Sequence, residues 1–407
     1  MKGPDLMEEE QSRGSATSFE DQEELRGAGG MSWETISLGE FLTLKRGYDL
    51  PETQRQDGDV PVVSSSGITG YHNEAKVEGP GVVTGRYGTL GEVFYLDDPF
   101  WPLNTALYVK DFKGNNPRFT AYFLKNVLSG IASDKAAVPG VNRNDLHARR
   151  VIVTRDSIQQ DRIASVLSAY DDLIENNRRR IQLLEQAARL LYREWFVRLR
   201  FPGHEHVRIK DGVPEGWAKG IIADLGKIIT GKTPSTKTPE NFGGNIPFVK
   251  TPDMHRSRII VETEEYLSEK GAATQSNKTL PMGTILVACI GAKLGVVSIT
   301  CLPCQTNQQI NAVVPRKDYL THYSLFALTD IKPRLEAMGG GATMPNVSKT
   351  KFASIPVLIP PQIILQEFDG YAKILFQQIQ LLNRQNSCLI RGRDLLLPRL
   401  MNGEIAV

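Results

Sequence analysis

Long hydrophobic runs, a disulfide framework and catalytic motifs are all missing from this 407-residue chain. No stretch approaches the roughly 18 apolar residues that cross a membrane, and the N-terminus is too polar for a signal peptide. Its four cysteines (289, 301, 304 and 388) form no disulfide framework, which predicts a reducing, cytoplasmic setting. Methyltransferase Asn/Asp-Pro-Pro-aromatic, nucleophile-elbow and His-Glu-x-x-His motifs are not present either. We therefore expect no catalytic centre, no bound metal and no cofactor in this chain.

The net charge of +2 hides an acidic N-terminal segment. Residues 1–30 contain eight acidic and three basic side chains, which leaves the rest of the chain near +7. This segment has almost no large apolar residues, so we expect a disordered leader. An interaction role and a start-site artefact, with Met31 as the true start, are both open interpretations.

The sequence contains an internal duplication. The segment Pro139–Leu146 has the same pattern as Pro345–Phe352, 206 residues downstream, and each runs into a β-type stretch and then a long helical pattern. A unit of this size is too long for a solenoid repeat of about 20–50 residues. The duplication predicts two similar domains and an internal pseudo-twofold repeat.

Each repeat begins with short apolar runs separated by Gly, Pro, Asn and Asp, the pattern of strands and turns. One helix is predicted within the first repeat, at about 118–130. A long helix then follows each strand-rich region, at about 157–199 and 362–400. Ser157 and Gln160 form a possible capping box for the first long helix.

The two long helices carry a coiled-coil pattern, with apolar positions alternating three and four residues apart. The predicted seam residues are Leu167, Ile174, Asn177, Ile181 and Leu184 in the first helix, and Phe368, Leu375, Leu382 and Leu389 in the second. Asn177 either lies inside the seam, where it would fix register, or at its edge. Neither helix can bury its apolar face alone, so we expect them to pair.

Two local patterns resemble functional sites without the required context. Gly226–Thr233 matches the phosphate-binding P-loop, but Pro234 follows at the point where a helix should begin. The pair Cys301 and Cys304, which we place in an apolar strand-like stretch, has no second pair to complete a zinc site. We interpret the first as a basic turn and the cysteines as packing residues.

Basic, amide and hydroxyl side chains occur on Gly-rich turns of both repeats. Such groups can contact phosphates or read base edges in double-stranded DNA. A solvated loop surface has a similar composition, but the occurrence in both repeats favours DNA binding. The candidate DNA-binding residues are Lys45, Arg46, Ser65, Arg86, Tyr87, Asn142 and Arg143 in the first repeat, and Lys232, Thr233, Lys250, Lys293, Asn346, Lys349 and Lys351 in the second.

At residues 33–407 the chain resembles the specificity subunits of type I restriction–modification enzymes. The resemblance rests on Ser66–Ala75, Gly85–Gly91, Pro139–Leu146 and the ending Leu395–Ile405, together with the duplication and the paired helices. It implies an α+β fold with two mixed, strand-rich target-recognition domains, separated by two long antiparallel coiled-coil helices. The distance from Trp33 to Gly91 is 58 residues, whereas that from Trp217 to Gly295 is 78. The two domains therefore differ where they would read DNA, which implies two different half-sites.

The resemblance also implies the organisation of the chain. We expect a leader at 1–30, recognition domains at 31–155 and 215–360, a spacer helix at 156–200, a linker at 201–214, and a second spacer helix with the C-terminal tail at 361–407. Two modification subunits using S-adenosylmethionine, and restriction subunits using ATP and magnesium, would carry out the chemistry. Alternatives are a lone specificity subunit that exchanges or competes with another system, and a P-loop nucleotide-binding enzyme.

Overall fold

The structure is a computed structural model that describes residues 33–85, 91–134, 142–291, 294–339 and 346–407, with the backbone alone at 130–134. It divides into two compact units. The first unit contains the chain up to Asp172 together with Ile390–Val407, and the second is Leu173–Leu389. Each of the two long helices contributes to both units.

The first half of the chain contains nine described strands and four described α-helices. The strands are β1 (Trp33–Ser37), β2 (Thr43–Arg46), β3 (Val60–Ser64), β4 (Gly67–His72), β5 (Gly81–Gly85), β6 (Val93–Leu96), β7 (Trp101–Pro102), β8 (Ala106–Asp111) and β9 (Arg150–Thr154). The helices are α1 (Leu38–Phe41), α2 (Pro117–Asp134), α3 (Arg143–Ala148) and α4 (Ser157–Tyr192). A π-helical turn at Arg193–Val197 follows α4, so the first long helix ends slightly before its predicted limit.

The second half contains the remaining described elements. Its strands are β10 (Ile209–Lys210), β11 (Val213–Pro214), β12 (Ala218–Ile221), β13 (Gly226–Thr230), β14 (Phe242–Val249), β15 (Ile259–Ile260), β16 (Glu265–Leu267), β17 (Ile285–Ala288), β18 (Val297–Thr300), β19 (Gln305–Thr306), β20 (Ile310–Pro315) and β21 (Pro356–Ile359). Its helices are α5 (Ile222–Leu225), α6 (Thr251–Arg256), α7 (Glu269–Ala273), α8 (Thr321–Asp330), α9 (Lys332–Gly339), α10 (Lys349–Ala353) and α11 (Gln362–Met401).

The strand order of the first unit is repeated in the second. In the first, an antiparallel sheet has the order β2-β8-β5-β6, a small sheet has the order β4-β3-β7, and β1 pairs with β9. In the second, the corresponding orders are β13-β20-β17-β18, with β15 added at one edge, then β16-β14-β19 and β12 with β21. The small sheets even share one parallel pairing, β3 with β7 and β14 with β19. The predicted duplication, mixed α+β fold and long helices are confirmed.

Each unit has its own aromatic core. In the first, Phe41, Phe119 and Phe123 are almost fully buried, and the rings of Phe41 and Phe123 lie 4.9 Å apart. In the second, Phe196 and Phe368 meet edge to face, also at 4.9 Å. Burial of each such ring contributes roughly 1.5–3 kcal/mol. Phe119 and Phe123 lie four residues apart in α2, and Phe368 begins a seven-residue apolar repeat in α11, which is why the sequence predicts both helices.

The cap of α4 differs from its predicted form. The Asp156 carboxylate accepts hydrogen bonds from the backbone N–H groups of Ile158 and Gln159, at 2.9 and 3.4 Å. Gln160 instead uses its side chain to bond Asn115 and the backbone of Asn116, both at 2.8 Å. The predicted Ser157–Gln160 capping box is therefore wrong by one position, because Gln160 is recruited to fix the start of α2.

Within the second unit, α4 and α11 meet through a buried asparagine pair. Asn177 and Asn386 are 7% and 8% exposed, and the Asn177 Nδ2 donates to the Asn386 Oδ1 at 3.0 Å. The Asn386 Nδ2 in turn faces the Ile174 carbonyl at 3.4 Å. Asn177 thus lies inside the seam, the first of the two positions that the sequence left open.

All eight of the other predicted seam residues are also buried or half-buried. Four are buried and four are half-buried: Leu167, Ile174, Phe368 and Leu382 in the first group, and Ile181, Leu184, Leu375 and Leu389 in the second. In α11, the sequence pattern missed the other half of the seam, whose buried members Leu365, Ala372, Ile379 and Asn386 repeat at seven-residue intervals, with Leu400 fourteen residues further on. Within the described ranges, the structure contains no helix long and apolar enough to cross a membrane.

Candidate nucleic-acid interface

In the first unit, backbone hydrogen bonds gather the ends of β2, β3, β7 and β8 around Gly47. The Gly47 N–H donates to the Ala106 carbonyl at 3.1 Å, and the next residue, Tyr48, donates to the Pro102 carbonyl at 2.8 Å. The Leu103 N–H then reaches the Val63 carbonyl at 2.8 Å. We call these three bonds the first glycine frame.

The second unit repeats this arrangement around Gly231. The Gly231 N–H donates to the Ile310 carbonyl at 3.1 Å, and the Lys232 N–H donates to the Thr306 carbonyl at 2.9 Å. The Asn307 N–H reaches the Val249 carbonyl at 3.2 Å. This second glycine frame joins β13, β14, β19 and β20, the counterparts of the strands in the first.

Close backbone approach explains why glycine occupies both positions. A Cβ at Gly47 would lie 2.3 Å from the Leu103 carbonyl oxygen, and one at Gly231 would lie 2.1 Å from the Asn307 carbonyl oxygen. Rigid backbone atoms cannot yield to such a contact, so only glycine fits. The two frames place the predicted residues at the end of β2 and just after β13 at equivalent edges of their units.

Lys45 and Arg46 lie at the first frame, but each is engaged within the unit. The Lys45 Nζ donates to the Tyr48 hydroxyl at 3.2 Å, and this hydroxyl lies 3.1 Å from that of Tyr108. The bond to Tyr108 and the neighbouring lysine lower the pKa of Tyr48, whereas burial raises the pKa of Tyr108. Arg46 is exposed, and its Nε donates to the Asn104 carbonyl at 3.1 Å.

Other predicted residues of the first unit lie on nearby turns. Ser65 occupies the two-residue turn between β3 and β4, where the Ser66 N–H bonds to the Ser64 hydroxyl at 3.1 Å. Arg86 and Tyr87 lie outside the described residues.

Helix α3 carries the last two candidates of the first unit. Asn142 caps this helix by accepting from the Asn144 N–H at 2.9 Å, and Arg143 is exposed beside it. The His147 Nε2 accepts from the Leu44 N–H at 2.9 Å, which ties α3 to β2. Burial lowers the pKa of His147, and the charges of Arg143 and Lys113 act in the same direction. The neutral ring that this favours is the form whose Nε2 can accept the bond from Leu44.

The second frame collects Lys232, Thr233 and Lys250. Lys232 is exposed, and the Thr233 hydroxyl donates to the Gln308 Oε1 at 2.7 Å. Lys250 follows β14 directly and forms an ion pair with Glu265. Its charge is therefore partly neutralised within the unit, which leaves Lys232 as the more available cation.

Asn346 lies near the end of β17 through a backbone bridge to Ile290, and the next residue, Val347, donates to the Cys289 carbonyl at 2.9 Å. Lys349 and Lys351 are exposed on α10, which is capped by the Ser348 hydroxyl. Lys293 lies outside the described residues. The structure therefore places the described second-repeat candidates on or beside β13, β14, β17 and α10.

Four polar residues near the frames were missed from the sequence. Asp49 and Asn104 form a side-chain hydrogen bond beside the first frame, and Gln308 bonds Thr233 beside the second. Gln309 accepts from the Thr251 hydroxyl at 3.2 Å. Aligning Gly47 with Gly231 would have drawn attention to Asp49 and Thr233. Their hydrogen-bond partners, Asn104 and Gln308, lie 55 and 75 residues away in the chain and could not be identified in this way.

The two local patterns that resemble a P-loop and a zinc site have ordinary structural roles. Gly226–Thr230 is strand β13, and no helix begins at Thr233, so the P-loop context is not formed. Cys301 and Cys304 lie in the turn between β18 and β19 rather than in a strand, because Thr300 and Leu302 close that turn. Burial raises the pKa of both thiols to about 11. Among the described residues, no cluster of His, Cys, Asp or Glu could hold a metal ion.

Comparisons with known proteins agree with this duplicated architecture. The family model described as the type I restriction modification DNA specificity domain matches residues 31–186 and again 214–387. The specificity subunit of the type I restriction enzyme HindI from Haemophilus influenzae is 31% identical over 315 residues, covering 61% of this chain and 68% of that protein. The MjaIX specificity subunit from Methanocaldococcus jannaschii is 27% identical over 256 residues, covering 61% of this chain and 59% of that protein.

A solved structure shares the fold. The crystal structure of a type I restriction–modification S subunit from M. genitalium has a TM-score of 0.60 and 17% identity, and the match covers 92% of this chain and 97% of that one. At this identity the likeness concerns the fold alone.

Proposed function

Because the chain belongs to the type I restriction–modification DNA specificity family, with two matching domains, we propose that each repeat reads one half of a bipartite target in double-stranded DNA. As a specificity subunit, the chain recognises sequence and is not itself the enzyme. The observation that carries the proposal is the glycine frame, built once in each unit from equivalent backbone bonds. The presence of the same frame in both units supports two related domains that each recognise DNA.

The proposed readers are residues 31–155 and 215–360, and the candidate contacts are the basic and amide side chains around the two frames. Exposed Arg46, Arg143, Lys232, Lys349 and Lys351 suit phosphate or base contacts. Segment 156–200 and segment 361–407 would set the unread gap, with 201–214 as a linker.

The readers differ where their small sheets are connected, which supports two different half-sites. In the first unit, two residues join β3 to β4. In the second, the connection from β14 to β16 spans residues 250–264 and includes α6 and β15. An addition of this kind changes the surface beside the frame while leaving the frame intact.

Partner subunits would supply the chemistry. We propose two modification subunits that use S-adenosylmethionine, and restriction subunits that use ATP and magnesium, in the cytoplasm. Exposed leucine and isoleucine side chains on the second unit repeat at seven-residue intervals, at Leu183 and Leu190 in α4 and at Ile374 and Leu381 in α11, each more than half exposed. Such apolar rows on a polar helix surface are typical of protein interfaces.

Selection from a random DNA library tests the proposal. The chain is co-expressed with its modification subunit, and bound DNA is sequenced at low and physiological salt. We expect two specified segments separated by an unspecified gap, retained when salt suppresses non-specific phosphate binding. Enrichment of one continuous segment, or of none, would contradict the proposal.

A further inference from the structure

One side-chain pair crosses each glycine frame at the same place. In the first unit, Asp49 lies two residues after Gly47, and Asn104 follows the frame residue Leu103; their side chains are hydrogen bonded. In the second unit, Thr233 lies two residues after Gly231, and Gln308 follows Asn307. The backbone hydrogen bonds of the frame are equivalent in both units, but the chemistry of the pair differs.

Both pairs are accessible and have a cation close by. Asp49 and Gln308 are exposed, whereas Asn104 and Thr233 are half-buried. The Arg46 guanidinium bonds to the Asn104 carbonyl at 3.1 Å, and Lys232 immediately precedes Thr233. A cation in this position can hold a phosphate while the pair faces a base edge.

The internal hydrogen bond decides what each amide can offer. The Asp49 carboxylate accepts from the Asn104 Nδ2, which turns the Asn104 Oδ1 away from the bond. The first pair therefore presents more acceptors than donors: the Asn104 Oδ1 and the remaining carboxylate lone pairs, against the second Nδ2 hydrogen of Asn104. In the second pair the Thr233 hydroxyl donates to the Gln308 Oε1 at 2.7 Å, which leaves the Nε2 amide hydrogens as donors.

We propose that these two pairs are specificity-determining, and that they read opposite hydrogen-bonding features of DNA. The first pair, Asp49 with Asn104, selects a base with an exocyclic amino group in the major groove, adenine or cytosine. The second, Thr233 with Gln308, selects a base edge that offers acceptors, such as the O6 and N7 of guanine. This inference rests on the proposed function and assigns one base position in each half-site.

Library selection with three variants of the complex tests the inference. Asp49→Asn adds a donor to the first pair, and Gln308→Glu removes the donors of the second. Asp161→Asn is the matched control, because Asp161 of α4 accepts from the Asn116 Nδ2 at 2.7 Å in an exposed amide–carboxylate pair that is part of neither frame. Asp49→Asn is expected to reduce discrimination at one position of one half-site by about 10- to 100-fold. Gln308→Glu should do so in the other half-site only.

The outcomes separate this inference from the proposed function. If wild type selects two half-sites and Asp49→Asn leaves both unchanged, the first pair does not read a base, and the same result with Gln308→Glu excludes the second pair, although the proposed function stands. A change with Asp161→Asn equal to that with Asp49→Asn would also overturn the assignment. If wild type selects no pair of half-sites, the proposed function itself fails. Replacing the first pair by the second, as Asp49→Thr with Asn104→Gln, should give the first half-site a preference for base acceptors; retention of the amino-group preference would refute the chemistry.

Discussion

The buried asparagine pair between α4 and α11 gives a prediction whose size follows from the structure. Asn177→Leu removes the donor of the 3.0 Å bond and leaves the Asn386 Oδ1 facing an apolar group. A buried polar group that loses its partner costs about 1–3 kcal/mol. The second unit contains about 200 residues, for which each 1 kcal/mol lowers the unfolding midpoint by roughly 2–4 °C. The single variant should therefore unfold at a temperature lower by roughly 2–12 °C.

The double variant Asn177→Leu with Asn386→Leu should recover most of this loss, because two apolar groups then face each other with no polar group left unpaired. Thermal unfolding of wild type, both single variants and the double variant gives a double-mutant cycle, and we expect a coupling of about 0.5–3 kcal/mol. Asn176→Leu, at the exposed neighbouring position, is the control and should stay within about 0.5 kcal/mol of wild type. Additive effects of the two single variants would show that the pair does not act as a unit.

Three further predictions concern the frames, the pH response and the helices. Gly47→Ala places a Cβ 2.3 Å from the Leu103 carbonyl oxygen and should weaken recognition of one half-site. Gly231→Ala should weaken recognition of the other half-site in the same way. If library selection shows that either variant weakens both half-sites equally, the two domains do not read DNA separately. Because the pKa of His147 is lowered in the folded state, the unfolded state binds a proton more readily at this ring. The stability that His147 contributes is present above its ordinary pKa of 6.5 and should be lost as pH falls through its pKa in the folded protein. His147→Gln should flatten that part of the unfolding midpoint's pH dependence, and an unchanged slope would refute the assignment. Inserting four residues after Arg178 adds about 6 Å of helix, which corresponds to roughly two base pairs of DNA. The insertion should lengthen the unread gap by one or two base pairs without altering either half-site. An unchanged gap would show that the helices do not set its length.

Much of the fold could be predicted because its signals are local. The apolar runs at Val60–Val63, Gly81–Thr84 and Ala106–Val109 became strands β3, β5 and β8, and their repetition indicated two domains. Helix periodicity located α2, α4 and α11 in the same way. The π turn after Tyr192 was not foreseen, because its residues also fit an α-helical pattern.

What could not be predicted depends on contacts distant in sequence. Asn386 is polar and was left out of the seam, since only its bond to Asn177, 209 residues away, makes its burial favourable. Gln160 satisfied a capping pattern but bonds Asn115 instead. Asp49 and Asn104 resemble ordinary loop residues until the glycine frame brings them together. Their proposed role in base reading remains a prediction.

Comparison of genomic methylation in a host with and without this chain, and with Gly47→Val in its place, tests the central claim most directly. We expect the wild-type chain, with its modification subunits, to mark a motif of two specified segments separated by an unspecified gap. With Gly47→Val, either methylation no longer requires one of the two segments, or methylation of sites that contain that segment is lost. In any sites that remain methylated, the other segment should be unchanged. Methylation of one continuous motif, or a variant that changes both segments together, would contradict an account in which two repeats read DNA separately.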